Sequence, residues 1–178
     1  MRALFSFFIF FFFIGYSCTG ISMQTEKERI QTEQNVIKNI SIYITTVWNL
    51  NNVEALEGIT GTGFIRTLNG IKVVASQNEL KAHINVFIKG FPDLEVSLEN
   101  VYLAEENAFI NWNFTGLNSG VYGEYPPTDK KVRIGGISQI TFNKEGILTK
   151  EDTYFNELSL LQQLGYHLNP PNPKTDMK

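Results

Sequence analysis

Two adjacent acidic residues are the first candidates for proton-transfer chemistry. Glu151 and Asp152 lie in residues 147–155, where apolar and polar residues alternate as they do in a β-strand. Glu151 and Thr153 then face the same side, about 7 Å apart at a rise of about 3.4 Å per residue. Glu151 could be a general base or a solvated carboxylate near the strand start. Asp152 faces the other side unless the strand is bulged, and it is a second candidate base.

One histidine and several aromatic residues are further candidates. His83 lies beside the apolar stripe of a predicted helix, where it could reach the interior as an acid or base or simply pack as a half-exposed ring. Tyr122 and Tyr125 lie in a predicted loop, where they could cover a pocket mouth or pack down on the surface. Three large apolar side chains are candidates for the pocket wall or the core: Trp48, Phe64 and Trp112.

Helices predicted in the sequence must position these residues. Between residues 27 and 50, apolar residues recur mostly three, four or seven apart, which predicts a long amphipathic helix. A second helix is predicted to begin after Ser76, an N-cap residue followed by a glutamate three positions later, and to end before Pro92. A short final helix is predicted at residues 157–164 and ends at Gly165.

The second half of the chain is predicted to form an antiparallel sheet. Alternating apolar residues indicate four long strands between residues 93 and 155, and an Asn-Gly turn at residues 69–70 indicates an earlier hairpin. Such a sheet has one face free to pack on the helices, so the fold class is α+β, and strong curvature would enclose a pocket. Trp112 has an asparagine on either side. The sequence leaves open whether Trp112 and the other apolar residues of this strand face the helices or the two asparagines do.

The N-terminal residues have the pattern of an export signal. Arg2 precedes an apolar run that ends at Ile14 and is shorter than the roughly 20 residues a spanning helix needs. Cys18, the only cysteine, follows this run and resembles the lipidated first residue of a bacterial lipoprotein. We therefore predict a signal peptide at residues 1–17, a tether at residues 18–27, and an exported lipoprotein anchored to a membrane of the cell envelope. Simple secretion is the alternative.

Composition limits the number of domains and the kind of partner. The residues after Cys18 are enough for one domain, predicted at residues 28–165, and too few for two. The net charge is -3 and no basic run occurs, which argues against a nucleic-acid partner because phosphate binding requires clustered Lys and Arg. A small hydrophobic molecule is the expected ligand. Residues 166–178 are proline-rich without an apolar pattern, and we expect a disordered tail.

Five short motifs within residues 28–165 point to a family. They are Phe91-Pro92-Asp93-Leu94, the pair Gly116 and Gly120, Pro126-Pro127-Thr128-Asp129-Lys130-Lys131, Gly136-Ile137, and Leu160-Leu161-Gln162-Gln163-Leu164-Gly165. In combination they resemble the SnoaL-like polyketide cyclases, or ester cyclases, of the nuclear transport factor two-like superfamily. The resemblance implies a cone-shaped, curved antiparallel sheet packed against N-terminal helices, a cystatin-like α+β barrel.

The resemblance also implies a chemistry. Characterised members close a polyketide ring by an aldol condensation in a pocket under the sheet, with neither a metal nor an organic cofactor. Aligned on the family, its acid/base aspartate falls on Thr153, and a histidine of the preceding strand falls on Ser138, so the resemblance implies that both residues belong to the pocket. Neither hydroxyl serves as a base near neutral pH without an activating partner. Association of the open sheet face into a homodimer is common in the superfamily.

Two small-molecule functions are consistent with these observations, and either could coexist with a third, a dimeric scaffold whose open sheet face mediates association. The first is an ester cyclase-type enzyme, or a related isomerase, that acts on a hydrophobic carbonyl compound and uses Glu151, Asp152 or His83. The second is a non-catalytic small-molecule-binding lipoprotein that keeps the pocket under the curved sheet but lacks the family's acid/base residues. The residues at 138 and 153 favour the second function, and so does the export signal, because ring closure in this family is normally intracellular.

Overall fold

The computed structural model describes the backbone of residues 14–169 and the side chains of residues 23–169. It has the α+β architecture predicted from the sequence. In chain order, the elements are α1 (Ile14–Ile42), a π-helical segment (Tyr43–Asn49), a 3-10 segment (Val53–Gly58), β1 (Thr60–Leu68), β2 (Ile71–Val74), α2 (Gln77–Gly90), β3 (Glu95–Ala104), β4 (Asn107–Leu117), β5 (Lys131–Phe142), β6 (Leu148–Phe155) and α3 (Glu157–Leu164).

The six strands form one curved sheet that does not close into a barrel. Their order is β2-β1-β6-β5-β4-β3, so the edges of the sheet are β2 and β3. β1 and β6 are parallel, whereas every other neighbouring pair is antiparallel. The parallel pairing joins the early hairpin to the C-terminal strands, and its register places Arg66 opposite Glu151.

The first helix is longer than the apolar pattern predicts. It begins at Ile14 rather than near residue 27, and it runs through the residues predicted as a tether. Asn35 and Asn39 donate to the carbonyl oxygens of Glu145 and Gly146, which fixes the helix to the turn between β5 and β6. Among residues 14–169, no helix is both long enough and apolar enough to span a bilayer. Most of the predicted signal peptide, and the tail from residue 170, lie outside the described residues.

A π-helical segment continues α1 from Tyr43 to Asn49. The wider turn changes which side chains face the sheet, and such segments are frequent at functional sites. The Asn49 side chain fixes the end of this segment to β3, because its amide donates to the Val96 carbonyl and its oxygen accepts from the Val96 N–H. Tyr43 and Trp48 are thereby held in the core.

Local signals read from the sequence are confirmed where elements begin and end. The Ser76 hydroxyl accepts from the Glu79 N–H at the start of α2. Asn69 and Gly70 have φ values of 50° and 85°, the left-handed conformation that a tight hairpin turn requires. Gly165 ends α3 with a φ of 98°.

The core lies between the helices and the inner face of the sheet. The structure settles the orientation of β4, since Ala108, Ile110, Trp112 and Phe114 face inward while the asparagines beside Trp112 face outward. The outer face carries two cross-strand apolar pairs, Tyr102 with Phe109 and Ile137 with Tyr154, and all four side chains are exposed.

Candidate active site

An apolar cavity of about 50 Å³ lies between the π-helical segment, α2 and the inner face of the sheet. This volume is several times the roughly 10–15 Å³ that one water requires. It is far below the ~300–1,000 Å³ of pockets for drug-sized ligands, so the cavity suits a compact guest. The residues that line it are Tyr43, Ile44, Trp48, Arg66, Leu68, Phe87, Val96, Ile110, Trp112, Phe114, Ile134, Glu151, Thr153 and Phe155.

Glu151 is the buried carboxylate of this cavity, only 3% exposed. Its Oε1 accepts from the Ser138 hydroxyl at 2.9 Å, and its Oε2 accepts from the Tyr43 hydroxyl at 2.9 Å. Oε2 also lies 3.3 Å from Arg66 Nε in an ion pair. Because a carboxylate has about four lone-pair sites, Oε1 keeps capacity for one more donor. The group is therefore a solvent-shielded carboxylate rather than a solvated one.

Arg66 and Tyr43 were not identified from the sequence. Arg66 lies at an inward-facing position of β1 between Phe64 and Leu68, so a charged residue interrupts an apolar alternation. Tyr43 belongs to the apolar stripe of the first helix, between Ile40 and Val47. A charged or hydroxyl-bearing side chain at a core-facing position is the signal that could have found both.

Burial and charge determine the protonation of these two residues. Burial, and then the charge of Glu151, raises the pKa of Tyr43, so its hydroxyl remains a proton donor. Burial opposes the charge of Arg66, but the pKa of Arg66 is nevertheless raised, chiefly by the neighbouring negative charge of Glu151. Arg66 is thus a permanent cation that faces a carboxylate.

Arg66 has an incomplete set of hydrogen bonds. Its carbon Cζ lies 5.4 Å from the centroid of the Trp48 ring, in cation–π contact. Within residues 23–169, no acceptor forms a hydrogen bond with its buried Nε or Nη1. Buried N–H groups nearly always have a partner, so these atoms need an explanation.

Ser138 and Thr153 are cross-strand partners that support Glu151. Their hydroxyl oxygens are 2.9 Å apart, and Trp112 Nε1 donates to the Ser138 oxygen at 3.1 Å. Ser138 has one proton to donate and gives it to Glu151, so Thr153 donates to Ser138. The two hydroxyls at the family's expected acid/base positions therefore orient a carboxylate two residues away on the same face.

Gly136 makes room for the Trp112 indole. A Cβ at this position would lie 2.3 Å from Trp112 Cζ2, so only glycine fits beneath the ring. Trp112 also packs against Phe155 with ring centroids 6.0 Å apart. These contacts fix one wall of the cavity.

His83 and Asp152 do not line the cavity. His83 packs against Phe87 on α2, and its Nε2 has no hydrogen-bond partner among the described residues. Burial, followed by the charge of Arg66, lowers the pKa of His83 to about 4, so the ring is neutral near pH 7. Asp152 faces the opposite side of β6, where it accepts from Thr67 and pairs with Lys150. Without a bulge at this position, alternation turns it outward.

Three other pocket candidates also lie away from the cavity wall. Phe64 is buried in the core, and Tyr122 packs against the rings of Phe87 and Phe91. Tyr125 pairs edge-on with the ring of Tyr166 at 5.1 Å and is about half exposed. Tyr122 and Tyr125 thus pack against neighbouring aromatic rings and do not cover the opening of the cavity. Of the pocket residues predicted from the sequence, Trp48, Trp112 and Thr153 line the cavity, whereas Ser138 is buried behind the wall and donates to Glu151.

Cys18 falls within α1, and its side chain lies outside the described residues. Within the described part of the chain, no group of three or more His, Cys, Asp or Glu side chains is placed to hold a metal ion.

An open curved sheet, sealed by helices over an apolar cavity with one buried carboxylate, defines a small α+β protein of the small-molecule-binding class. Residues 40–164 match the model of the SnoaL-like polyketide cyclase family, and the chain belongs to that family. Proteins of this family generally bind small hydrophobic molecules.

Solved structures with the same fold differ in the roles ascribed to them. A protein from Jannaschia sp. CCS1 described as a SnoaL-like polyketide cyclase superposes with a TM-score of 0.68 at 18% identity, covering 76% of this chain and 94% of its own. AclR from Streptomyces galilaeus, described as a hydroxylase, gives 0.63 at 17% identity, covering 80% and 85%. A phenazine biosynthesis-related protein from Pseudomonas aeruginosa gives 0.66 at 13% identity, covering 85% and 97%. None of the curated proteins matches this sequence.

Proposed function

We propose that this protein binds a compact, hydrophobic carbonyl compound in the cavity and catalyses its cyclisation or isomerisation by cofactor-free acid/base chemistry. The observation that carries the proposal is the position of Glu151, a buried carboxylate on the wall of an apolar cavity. It stands on the same strand face as Thr153, two residues from the position where the family's acid/base group is expected. Glu151 would take over that role.

The proposed reaction begins at a carbon next to the substrate carbonyl. Glu151 Oε1 accepts a proton from this carbon, and the electron pair of the broken C–H bond forms an enolate. The enolate carbon then attacks a second carbonyl of the same molecule, whose π electrons move to its oxygen, and this alkoxide takes the proton back from Glu151. In an isomerisation, the proton returns instead to another carbon. The apolar wall excludes water and holds the substrate in a reactive conformation.

The size of the cavity restricts the substrate. At about 50 Å³, the space suits a molecule of a few non-hydrogen atoms or the end of a longer one. A multi-ring polyketide would require the walls to move apart. The proposal therefore names a small ketone, aldehyde or ester.

Exchange of α-protons for deuterium tests the proposal without knowledge of the natural substrate. We predict that the protein accelerates exchange into butanone or cyclopentanone in D₂O, followed by NMR, and that Glu151→Gln slows it by about two orders of magnitude or more. Asp152→Asn is the matched control, because it makes the same change on the opposite face of the strand. Absence of any acceleration by the unmodified protein would refute the catalytic proposal.

A non-catalytic binding protein is the second candidate. The observation in its favour is that Glu151 already accepts two hydroxyl donors and pairs with Arg66, so its carboxylate is engaged in contacts within the protein. This alternative predicts saturable ketone binding with no proton exchange. The ketone samples of the exchange experiment therefore distinguish the enzyme from the binding protein.

We further propose that the protein is exported and held at a membrane by lipid on Cys18. The support is the basic residue and apolar run that precede this single cysteine. Because several acyl chains each add about 0.8 kcal/mol per buried methylene, they suffice as an anchor. We predict that the full chain, expressed in a bacterial host, partitions into the membrane fraction with a diacylglycerol mass increment, and that Cys18→Ser loses both. Soluble, unmodified wild-type protein would favour simple secretion.

A further inference from the structure

The incomplete hydrogen bonding of Arg66 suggests a role for its guanidinium. Its side chain is only 7% exposed, and it lines the cavity. Its Nε lies 3.3 Å from Glu151, outside hydrogen-bond geometry, and its Nη1 donors have no acceptor within residues 23–169. Buried donors without acceptors are costly, so a cation in this state is prepared for an oxygen that the protein does not itself supply.

The charge balance of the cavity favours a neutral guest. Among the lining residues, Arg66 and Glu151 are the charged pair, and the remaining walls are apolar rings, aliphatic chains and hydroxyls. Trp48 covers part of the guanidinium through its ring face. A ligand that carried a full negative charge would approach Glu151 as well as Arg66, and repulsion would oppose its binding. A neutral carbonyl oxygen meets no such penalty.

We propose that Arg66 is the oxyanion donor of the site and stabilises the enolate that forms when Glu151 removes an α-proton. This inference rests on the proposed function and deepens it. As the C–H bond breaks, the proton moves to Glu151 Oε1, and the electron pair of that bond places negative charge on the carbonyl oxygen beside Arg66. The buried negative charge passes from Glu151 to the substrate, so the total charge of the cavity stays constant.

This exchange of ion-pair partners explains why a buried arginine would retain unpaired donors. Donors aimed at an oxygen that becomes charged only during the reaction stabilise the transition state more than the bound substrate. The substrate class is accordingly a compact, neutral, apolar carbonyl compound with an acidic α-hydrogen, in preference to a carboxylic acid.

Binding of isobutyrate to the Glu151→Gln variant tests the inference, because the variant mimics a protonated Glu151 and the carboxylate mimics the enolate oxygen. We expect isobutyrate to bind Glu151→Gln at least about tenfold more tightly than it binds the wild type, since removal of the carboxylate leaves Arg66 without its counter-charge. Isobutyramide, the neutral isostere, should bind both proteins with similar affinity. Affinities are read by calorimetry or NMR titration near neutral pH.

Removal of the guanidinium supplies the second half of the test. Glu151→Gln combined with Arg66→Met should lose the preference for isobutyrate over isobutyramide, whereas Glu151→Gln with Arg133→Met should keep it, because Arg133 is exposed on the outer face of β5. If the first double variant does not fold, the comparison of the two ligands in Glu151→Gln alone decides. Equal affinity for the acid and the amide in that variant would overturn the inference.

The outcomes separate the inference from the function it rests on. Proton exchange by the wild type, together with no anion preference in Glu151→Gln, would leave the catalytic proposal standing and remove Arg66 from it. Anion preference without proton exchange would show that Arg66 binds a ligand oxygen, and it would refute the catalytic proposal and with it the role of Arg66 as a donor to an enolate.

Discussion

Three elements of the fold supply the groups that surround Glu151. Tyr43 comes from the π-helical segment, Ser138 from β5 and Arg66 from β1. A buried charge of this kind persists only when other groups compensate its lost hydration, and removal of one partner of such a pair typically costs about 3–5 kcal/mol. The network thus links stability and chemistry, because the same contacts that compensate the burial of the carboxylate also fix its direction.

The partly buried His83 allows a test of how burial lowers the pKa of a single residue and thereby affects stability. Its folded pKa is about 4, whereas an unfolded histidine titrates near about 6.5. Between these values the unfolded chain binds more protons, so His83 reduces stability as the pH falls from about 7 toward 4. We predict that lowering the pH from about 7.5 to about 5 costs the wild type about 1–2 kcal/mol more than His83→Phe, which keeps a ring against Phe87.

Urea denaturation of both proteins at the two pH values measures this difference. Equal pH dependence in the wild type and the variant would show that His83 titrates normally and is not held neutral by its surroundings.

The parallel pairing of β1 with β6 is the element-scale feature that creates the site. It sets Arg66 opposite Glu151, Thr67 opposite Asp152 and Leu68 opposite Thr153. The first and third pairs face the cavity, whereas Thr67 and Asp152 bond to each other on the outer face. Antiparallel strands β5 and β4 then bring Ser138 and Trp112 close to this pair, where Ser138 donates to Glu151 and Trp112 lines the cavity.

Local sequence signals account for the elements but not for this pairing. The Ser76 cap, the Asn-Gly turn and the apolar alternation predict where helices and strands lie, because these patterns act over a few residues. Strand parity likewise predicts that Glu151 and Thr153 share a face. The ion pair with Arg66 depends on the register between strands far apart in the chain, and no local pattern specifies it. The apolar pattern of an α-helix, which repeats every 3.6 residues, likewise does not reveal the π-helical turn that positions Tyr43.

Gly136 tests how β5 shapes the cavity wall. We predict that Gly136→Ala destabilises the protein by about 1–3 kcal/mol and alters the near-ultraviolet circular dichroism of tryptophan, because the new methyl displaces the Trp112 ring. Gly63→Ala, in β1, is the control, since a Cβ there meets no atom within 4 Å. Comparable stability losses in the two variants would argue against a specific contact with Trp112.

At the scale of the whole molecule, the sheet separates two environments. Its inner face and the helices enclose the cavity, while its outer face exposes apolar side chains on β3, β4, β5 and β6. The cavity is small because large rings such as Trp48, Phe87, Trp112 and Phe155 project into it from opposite walls. Arg66 and Glu151 are both buried beneath this aromatic wall, and reduced exposure to solvent strengthens the interaction between them.

The chain has two tryptophans, and both line the cavity. Their indole N–H signals in a ¹H–¹⁵N spectrum therefore report directly on whether a guest enters it. We predict that titration with cyclopentanone shifts both signals in a saturable manner with one dissociation constant, and that Asp152→Asn, altered on the outer face, behaves in the same way. Indole signals that stay unmoved at saturating ketone would contradict the claim that this interior receives a small carbonyl compound.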